Sequence, residues 1–205
     1  MSGNTYFNEC LTLLPSHLQP TGNQVTKFSS HYVRLEDPNQ KYFDQNEFLE
    51  AVCNNNPAGD DLTFNQSQNV AIDQPEMTIS IVADKIVEFL RQSLDAVLGD
   101  NEVAVWKKNI EDTFIDLKTA KDNGWAEFSN SDGGYSSWEY RVLFAAPNYD
   151  TPDSFYSCIT IIRLTADIQE ESSWSSLQSG TKKEFSASVD AMELVIGKDF
   201  KDSSD

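Results

Sequence analysis

The segment WEYRVLFAAPNYDTPDSFYSCITIIRLTADI, residues 138–168, constrains the fold of this chain more than any other. Two runs rich in β-branched and aromatic residues flank a Pro/Asp turn, the pattern of an antiparallel hairpin. In the first strand, 138–146, Trp138, Tyr140, Val142 and Phe144 share one face; the other face begins with Glu139 and Arg141 and ends with Leu143 and Ala145. In the second, 155–168, Tyr156, Cys158, Ile162, Leu164, Ala166 and Ile168 share a face, and Phe155, Ile159 and Ile161 occupy the first half of the other. Strands that are apolar on both faces need cover on both sides. The simplest solution is three layers, with helices over each face of a mixed sheet.

The periodicity upstream supplies the cover. Over 75–100, Ile79, Val82, Ile86, Phe89, Leu90, Leu94 and Val97 recur at three- and four-residue steps, which predicts a helix begun near Pro75 and capped by Gly99. A second stripe, Val103, Trp106, Ile110, Phe114 and Leu117, predicts a helix from 100 to about 121, ended by Asn123-Gly124. A link of one or two residues between them implies an αα-hairpin. The remaining elements are a strand at 29–38, a helix at 39–52, a turn at 54–61, a strand at 62–72, a short strand at 125–129, a loop at 130–137, and a strand or helix at 181–197. Residues 1–27, with Pro15, Pro20 and Gly22, read as a short helix or extended arm off the core, and the last residues as a solvated tail.

At 205 residues one large domain is the prior. The expected division is an N-terminal arm over 1–28, a candidate for removal; a main domain over 29–200; and a solvated tail over 201–205. The 33 acidic against 15 basic residues give a formal charge of −18, which offers nucleic acid no basic footprint and anionic lipid no long-range attraction. Cys10, Cys53 and Cys158 have no metal or disulfide spacing. The start, MSGNTYFNECLTLLPSHLQP, lacks the basic and apolar regions of a signal peptide, so the expectation is a soluble protein made without an export signal. No apolar run approaches the length of a membrane-spanning helix.

Motifs for catalysis are missing. The histidines are His17 and His31, and no signature flanks a pairing of His31 with Cys53. There is no GxSxG elbow, GxGxxG or phosphate loop. The stretch FSNSDGGYSSWE, 128–139, matches several calcium-loop positions, but Phe128 stands where a carboxylate is needed and the flanks read as strands, so a hairpin loop is the better reading. The expectation is a non-enzyme with no cofactor and no metal.

Trp125, Phe128, Tyr135, Trp138 and Tyr140 cluster in sequence. They suit either a sugar or lipid-headgroup surface or the core of a sheet. Between Val142 and Ile162 the only charges are Asp150 and Asp153, both in the turn. A strand of about 9–11 tilted residues crosses a bilayer, and each of these strands supplies roughly that. Closed strand assemblies are one of the two structures that lipid allows to span it. A soluble core produces the same pattern, so both readings stay open on the residues alone.

The chain also resembles a known family. RLEDPN at 34–39, IVADKIVEFLRQSLDAVLG, DTFIDLKTAKDNGWAEF at 112–128, YRVLFAAPN at 140–148 and YSCITIIRLTADIQEE are similar to the Cyt delta-endotoxins of insecticidal bacteria and to the fungal volvatoxin-type cytolysins. The likeness runs from about Val33 to Phe200, and the chain's shortness places it nearer the fungal type. It implies a single α/β domain with helix hairpins flanking a mixed, largely antiparallel sheet. It also implies a protein that is released or ingested, binds phospholipid without a protein receptor, oligomerises and permeabilises the target membrane with its long late strands after the helices open. The strong acidity is a departure from the family and favours zwitterionic over anionic lipid.

On this resemblance and the alternation above, the expected membrane-contact residues are Trp125, Phe128, Trp138, Tyr140, Val142, Phe144, Ile159, Ile162 and Leu164. The amphipathic helices covering them present Ile79, Val82, Ile86 and Phe89, then Val103, Trp106, Ile110 and Phe114. The competing readings are a lectin-like or headgroup-binding module that docks without perforating, an acidic enzyme with an unrecognised site, and an inactive family member.

Overall fold

Period-two alternation in the C-terminal part of the chain becomes a row of adjacent long strands. The structure, a computed structural model, describes residues 5–37, 40–54, 59–73, 75–178 and 180–203. In chain order its elements are β1 (Asn8–Cys10), α1 (Gln19–Ser30), β2 (Val33–Asp37), β3 (Gln40–Phe43), α2 (Gln45–Asn54), β4 (Leu62–Asp73), α3 (Ile79–Ser93), α4 (Asp100–Ile115), α5 (Leu117–Asp122), β5 (Ala126–Asn130), β6 (Ser136–Pro147), β7 (Ser154–Ala166), α6 (Glu171–Trp174) and β8 (Phe185–Gly197).

The main sheet runs β6, β7, β8, β4, all antiparallel. The outer edge of β6 is shared. β5 pairs antiparallel with its first half, and β1 lies parallel to Val142–Phe144. β2 and β3 form a separate ribbon. Register sets the two faces: Trp138 opposes Leu164, Tyr140 opposes Ile162 and Phe144 opposes Cys158 on one; Leu143 opposes Ile159 and Pro147 opposes Phe155 on the other.

Each face has its own core. α3 to α6 bury Val82, Ile86, Leu90, Trp106, Ile110, Phe114 and Trp174 against Trp138, Tyr140, Val142, Phe144, Ile162 and Leu164. On the opposite side α1, α2 and the N-terminal segment bury Phe7, Leu18, Val25, Phe28 and Phe48 against Leu143, Phe155, Ile159 and Leu194. The three-layer α/β/α domain with a mixed, largely antiparallel sheet is as expected, and the segment 181–197 resolves to strand from Phe185 onward.

Several boundaries differ. Of the expected arm over 1–27, the described part, 5–27, is not off the core: Phe7 and Val25 are fully buried, and β1 extends the sheet. The tail is not wholly solvated, because Phe200 packs on Phe28 and Asp202 is buried beside His31. Ser29 and Ser30 end α1 instead of starting a strand, their hydroxyls donating to Val25 O and Thr26 O. The helix expected over 39–52 starts only at Gln45, where the Asp44 carboxylate accepts the Glu47 N–H at 3.0 Å; Gln40–Phe43 pairs with β2. Pro38 and Asn39, and residues 55–58 of the expected turn, lie outside the described residues.

The helix expected over 75–100 spans only Ile79–Ser93. Thr78, not Pro75, caps it by accepting the Ile81 N–H at 3.2 Å. Leu94 is extended, Val97 is 67% exposed, and Gly99 precedes α4 instead of closing α3. The α3–α4 link is therefore 94–99, longer than expected, although the helix hairpin holds, with Lys107 Nζ 2.8 Å from Asp84 Oδ1 across it. The second helix breaks at Asp116, whose side chain caps α5 by accepting the Thr119 N–H. Gly124, at φ +84°, ends α5 and turns the chain into β5.

Candidate functional site

Eight of the nine expected contact residues collect on one side of the sheet or its edge. Trp138, Tyr140, Val142, Phe144, Ile162 and Leu164 are buried there under the helices, and Trp125 and Phe128 are partly buried beside them. Ile159 is the exception: it opposes Leu143 and is buried under α1 and α2. From the helices, Ile79, Val82, Ile86, Trp106, Ile110 and Phe114 are buried on this face, and Phe89 and Val103 pack partly against it. The Trp106 ring stacks on Phe144 with centroids 4.6 Å apart, and Phe114 meets Tyr140 edge-on at 6.1 Å.

Few polar bonds fasten this cover. The Tyr140 hydroxyl donates to Asn109 Oδ1 of α4 and accepts from Asn8 Nδ2, both at 2.8 Å. Burial pushes its phenol well above the ordinary range, so it stays protonated. The fully buried Glu193 of β8 accepts the backbone N–H groups of Asp95 and Ala96 in the α3–α4 link, each at 3.0 Å. It also accepts from Asn65 Nδ2 at 2.6 Å and Gln66 Nε2 at 2.8 Å, beside the irregular register of β4. Trp174 Nε1 donates to Ser136 Oγ at 2.8 Å, and that hydroxyl donates to Ile168 O. The rest of the contact between helix layer and sheet is dominated by apolar side chains.

The opposite face carries a buried ion-pair network. Arg141 is fully buried and donates to Tyr6 O, Gly124 O and Glu139 Oε1 at 3.0, 2.7 and 3.3 Å. Glu139 Oε2 accepts from Arg163 at 2.9 Å. Burial lowers the Arg141 value, and Glu139 and Glu127 offset it. Fixing the N-terminal segment, β5 and β6 together, this guanidinium serves structure.

Little here suggests nucleophilic chemistry. His31 lies at the end of α1, not in a strand, and its Nε2 is 2.7 Å from Asp202 Oδ2. Burial pushes the Cys10 and Cys158 thiols up to about 12, which suppresses the reactive thiolate. Among the described residues no helix is long and apolar enough to cross a membrane, and no group of His, Cys, Asp and Glu is placed to hold a metal. The loop 131–135 joins β5 and β6 as a hairpin, as its sequence suggests.

Two residues of this region escape the sequence reading. Trp174 stands alone in a Ser-rich stretch, yet it meets Trp138 edge-on at 6.5 Å. Glu193 sits in an apolar run, and nothing near it in sequence names its distant partners.

Acidity also shapes stability. Burial raises the carboxyls of Glu9, Glu127 and Asp190 above their ordinary values, despite a hydrogen bond to Thr26, the charge of Arg141 and the charge of Arg163 respectively. Each therefore holds a proton more tightly in the folded chain than in the unfolded one. That stabilisation is fully present below the unfolded values of about 4 and is lost as pH rises through the raised folded values. Melting temperature should rise as the pH falls from neutral toward about 5, and Glu9→Gln/Asp190→Asn should flatten the profile by raising its neutral end. Thermal melts across that range measure both.

A family model for Bacillus thuringiensis toxin matches residues 7–196. A type-2Bb cytolytic delta-endotoxin of Bacillus thuringiensis subsp. jegathesan is 28% identical over 170 residues, covering 80% of this chain and 60% of that protein. A type-2Ba cytolytic delta-endotoxin of subsp. israelensis is 26% identical over 172 residues, covering 82% and 61%. The chain thus spans about 60% of the length of these curated relatives. Among solved structures, the activated Cyt2Ba monomer of subsp. israelensis superposes with a TM-score of 0.77 at 18% identity, covering 94% of this chain and 98% of that one. A delta-endotoxin structure gives 0.77 at 17% identity, covering 94% and 81%. At such identities the structural likeness is one of fold.

Proposed function

The chain belongs to the Bacillus thuringiensis toxin family, and on that premise we propose that it is a cytolysin. It binds phospholipid as a folded, water-borne protein, self-associates, and permeabilises the bilayer with β6, β7 and β8 after α3 to α5 have moved off them. The observation that carries this reading is the length and pairing of those strands beneath a mostly apolar cover. They span 12, 13 and 13 residues, against the roughly 9–11 tilted residues a bilayer requires. β7 pairs along both its edges, with β6 and β8, and self-association would close the two outer edges, as lipid demands.

In this reading Trp138, Tyr140, Val142, Phe144, Ile162 and Leu164 exchange helix contacts for lipid, with Trp125 and Phe128 at the sheet edge. Ile159 joins them only if α1 and α2 also leave. The process needs no bond-making step, cofactor or nucleic acid. The −18 charge directs the protein to zwitterionic bilayers and away from anionic ones.

Dye-loaded vesicles test this. Release from phosphatidylcholine/phosphatidylethanolamine vesicles should be several-fold faster than from strongly anionic phosphatidylglycerol vesicles at neutral pH. Faster release from the anionic set would overturn the charge argument. Co-sedimentation with vesicles and no release would replace the lytic reading by a lipid- or glycan-binding module.

A further inference from the structure

The main sheet has one closed edge and one open edge. β1 and β5 share the outer edge of β6. At the other end β4 is last in the order and pairs with β8 alone. Among the described residues, no backbone hydrogen bond reaches residues 63–73 from the side away from β8. A strand turns its N–H and C=O groups alternately to either side, so every second residue of β4 presents an unpaired donor and acceptor at this edge.

Edge strands are commonly protected by charge, by proline, by shortness or by cover. β4 is 12 residues long, and from Thr63 to Ile72 it carries no charge and no proline, in a chain of formal charge −18. Ser67, Asn69 and Ala71 are exposed on the face away from α3, where Ser67 opposes Met192 and Asn69 opposes Asp190. On the helix-covered face Gln68 Nε2 donates to Gln66 Oε1 at 3.1 Å, Gln66 Nε2 donates to Glu193, and Val70 and Ile72 pack partly on the core, so this part of the strand is held in place. One protective device is present: the register shifts between Phe64 and Gln66, which bends the start of the strand away. The regular open stretch is therefore 66–72.

We propose that two copies of this chain pair in water through β4, antiparallel about a two-fold axis at Asn69. Such an axis sets like face on like face, so opposed residues share parity. Asn69 then meets its own copy and Ser67 meets Ala71 on the open face; Gln68 meets Val70 and Gln66 meets Ile72 on the covered one. The charge selects a second copy as the occupant. Two chains of −18 repel, and here they touch without setting carboxylate against carboxylate. Asp190 is in register with Asn69, so the two Asp190 residues of a pair stand three strand spacings apart, about 14 Å, beyond the ~8 Å screening length at physiological salt. The product is one continuous antiparallel sheet of β6, β7, β8, β4 and their copies. A contact confined to one edge is narrow, which makes the association reversible. It needs no membrane and stands or falls apart from the lytic reading.

Sedimentation equilibrium of the full chain tests this. At about 100 μM the mass should approach twice the 23.0 kDa of one chain. The dimer should tighten several-fold as salt rises from about 0.05 to about 0.5 M, because the repulsion between the two copies is screened. Ser67→Lys/Ala71→Lys sets ammonium opposite ammonium on both sides of the axis and should weaken the dimer at least tenfold. Its circular dichroism spectrum should be unchanged, since both positions are exposed. Ser67→Glu/Ala71→Glu should be as weak by itself. An equimolar mixture of the two variants should dimerise again, now as a mixed pair, which a misfolded variant could not do. A monomer in both salts overturns the proposal. A dimer that the lysine variant leaves intact overturns it too, by placing the contact elsewhere. Variants that stay monomeric when mixed overturn the two-fold pairing about Asn69.

Discussion

Oxidation of a Met77→Cys/Lys183→Cys chain should cut dye release from phosphatidylcholine vesicles by at least tenfold, and reduction should restore it. Met77 and Lys183 exchange two backbone hydrogen bonds, of 3.0 and 3.1 Å, in an isolated antiparallel bridge. They lie just ahead of the α3 cap and of β8. Hydrogen-bonded partners of this kind hold their Cα atoms about 5.5 Å apart, inside the range a disulfide spans. The crosslink would therefore tether the start of α3, the helix that packs on β4 and β8, to the sheet.

Cys53 is exposed and should be replaced by serine, while Cys10 and Cys158 are buried. Met77 is also buried, so its loss costs about 1–3 kcal/mol before any crosslink forms; the reduced variant controls for that. Cys158 offers a second readout. It lies on the helix-covered face, 2% exposed, and should react with a membrane-permeant maleimide after vesicle contact only when the disulfide is open. Full release with the crosslink intact would sink helix opening.

The other end of α3 gives the second large effect. Glu193→Ala should lower stability by about 3 kcal/mol. For a chain of this size that is a fall in melting temperature of about 6–12 °C. The substitution removes four bonds at once: it strands the backbone N–H groups of Asp95 and Ala96 and the amide of Gln66, and leaves Asn65 Nδ2 only its bond to Asp95 Oδ2. Glu193→Gln keeps one acceptor oxygen and should fall between wild type and alanine. Because two of the four bonds hold the α3–α4 link to the sheet, both variants should also release dye sooner than the parent well below their melting temperatures. A shift in melting temperature of under about 2 °C for alanine would mean that the carboxylate is not what holds the link.

Both faces of the hairpin were legible because side-chain parity along a strand is strict. The same parity separates Ile159 from Ile162 in sequence, so placing both on one contact face was inconsistent with the alternation already visible. The stripes of α3 and α4 were legible for the same local reason, but their ends were not. The Leu94–Gly99 link leaves the helix because its N–H groups bond Glu193, a residue almost a hundred positions away. At α2 a local signal was overlooked: Asp44 to Glu47 has the spacing of a capping box.

The N-terminal segment misled through Pro15, Pro20 and Gly22. Pro20 sits in the first turn of α1, where a proline is tolerated. Gly22 leaves room for Leu11, whose side chain comes within 2.9 Å of where a Cβ would stand. Those residues punctuate a buried segment. The Trp138–Trp174 pair was half visible, in the cluster around Trp138, and half hidden, because Trp174 reaches it only through the fold.

The pairing of β4 with β8 joins Leu62 to Ile196 and Asp73 to Ser186. As the chain leaves the ribosome, β4 must wait for nearly everything after it, and non-local pairing of this kind is slow. Of the helices that cover one side of β6, α3 to α5 are made before β6 itself and only α6, with Trp174, comes after it; α1 and α2, on the other side, are also made first. Synthesis thus delivers most of both covers ahead of the strands they shield. The most apolar hairpin in the molecule is then left without its last partner, β8, only for the interval in which residues 167–197 are translated. A shuffled gene that placed the helices last would encode the same contacts and expose bare strands throughout its own production.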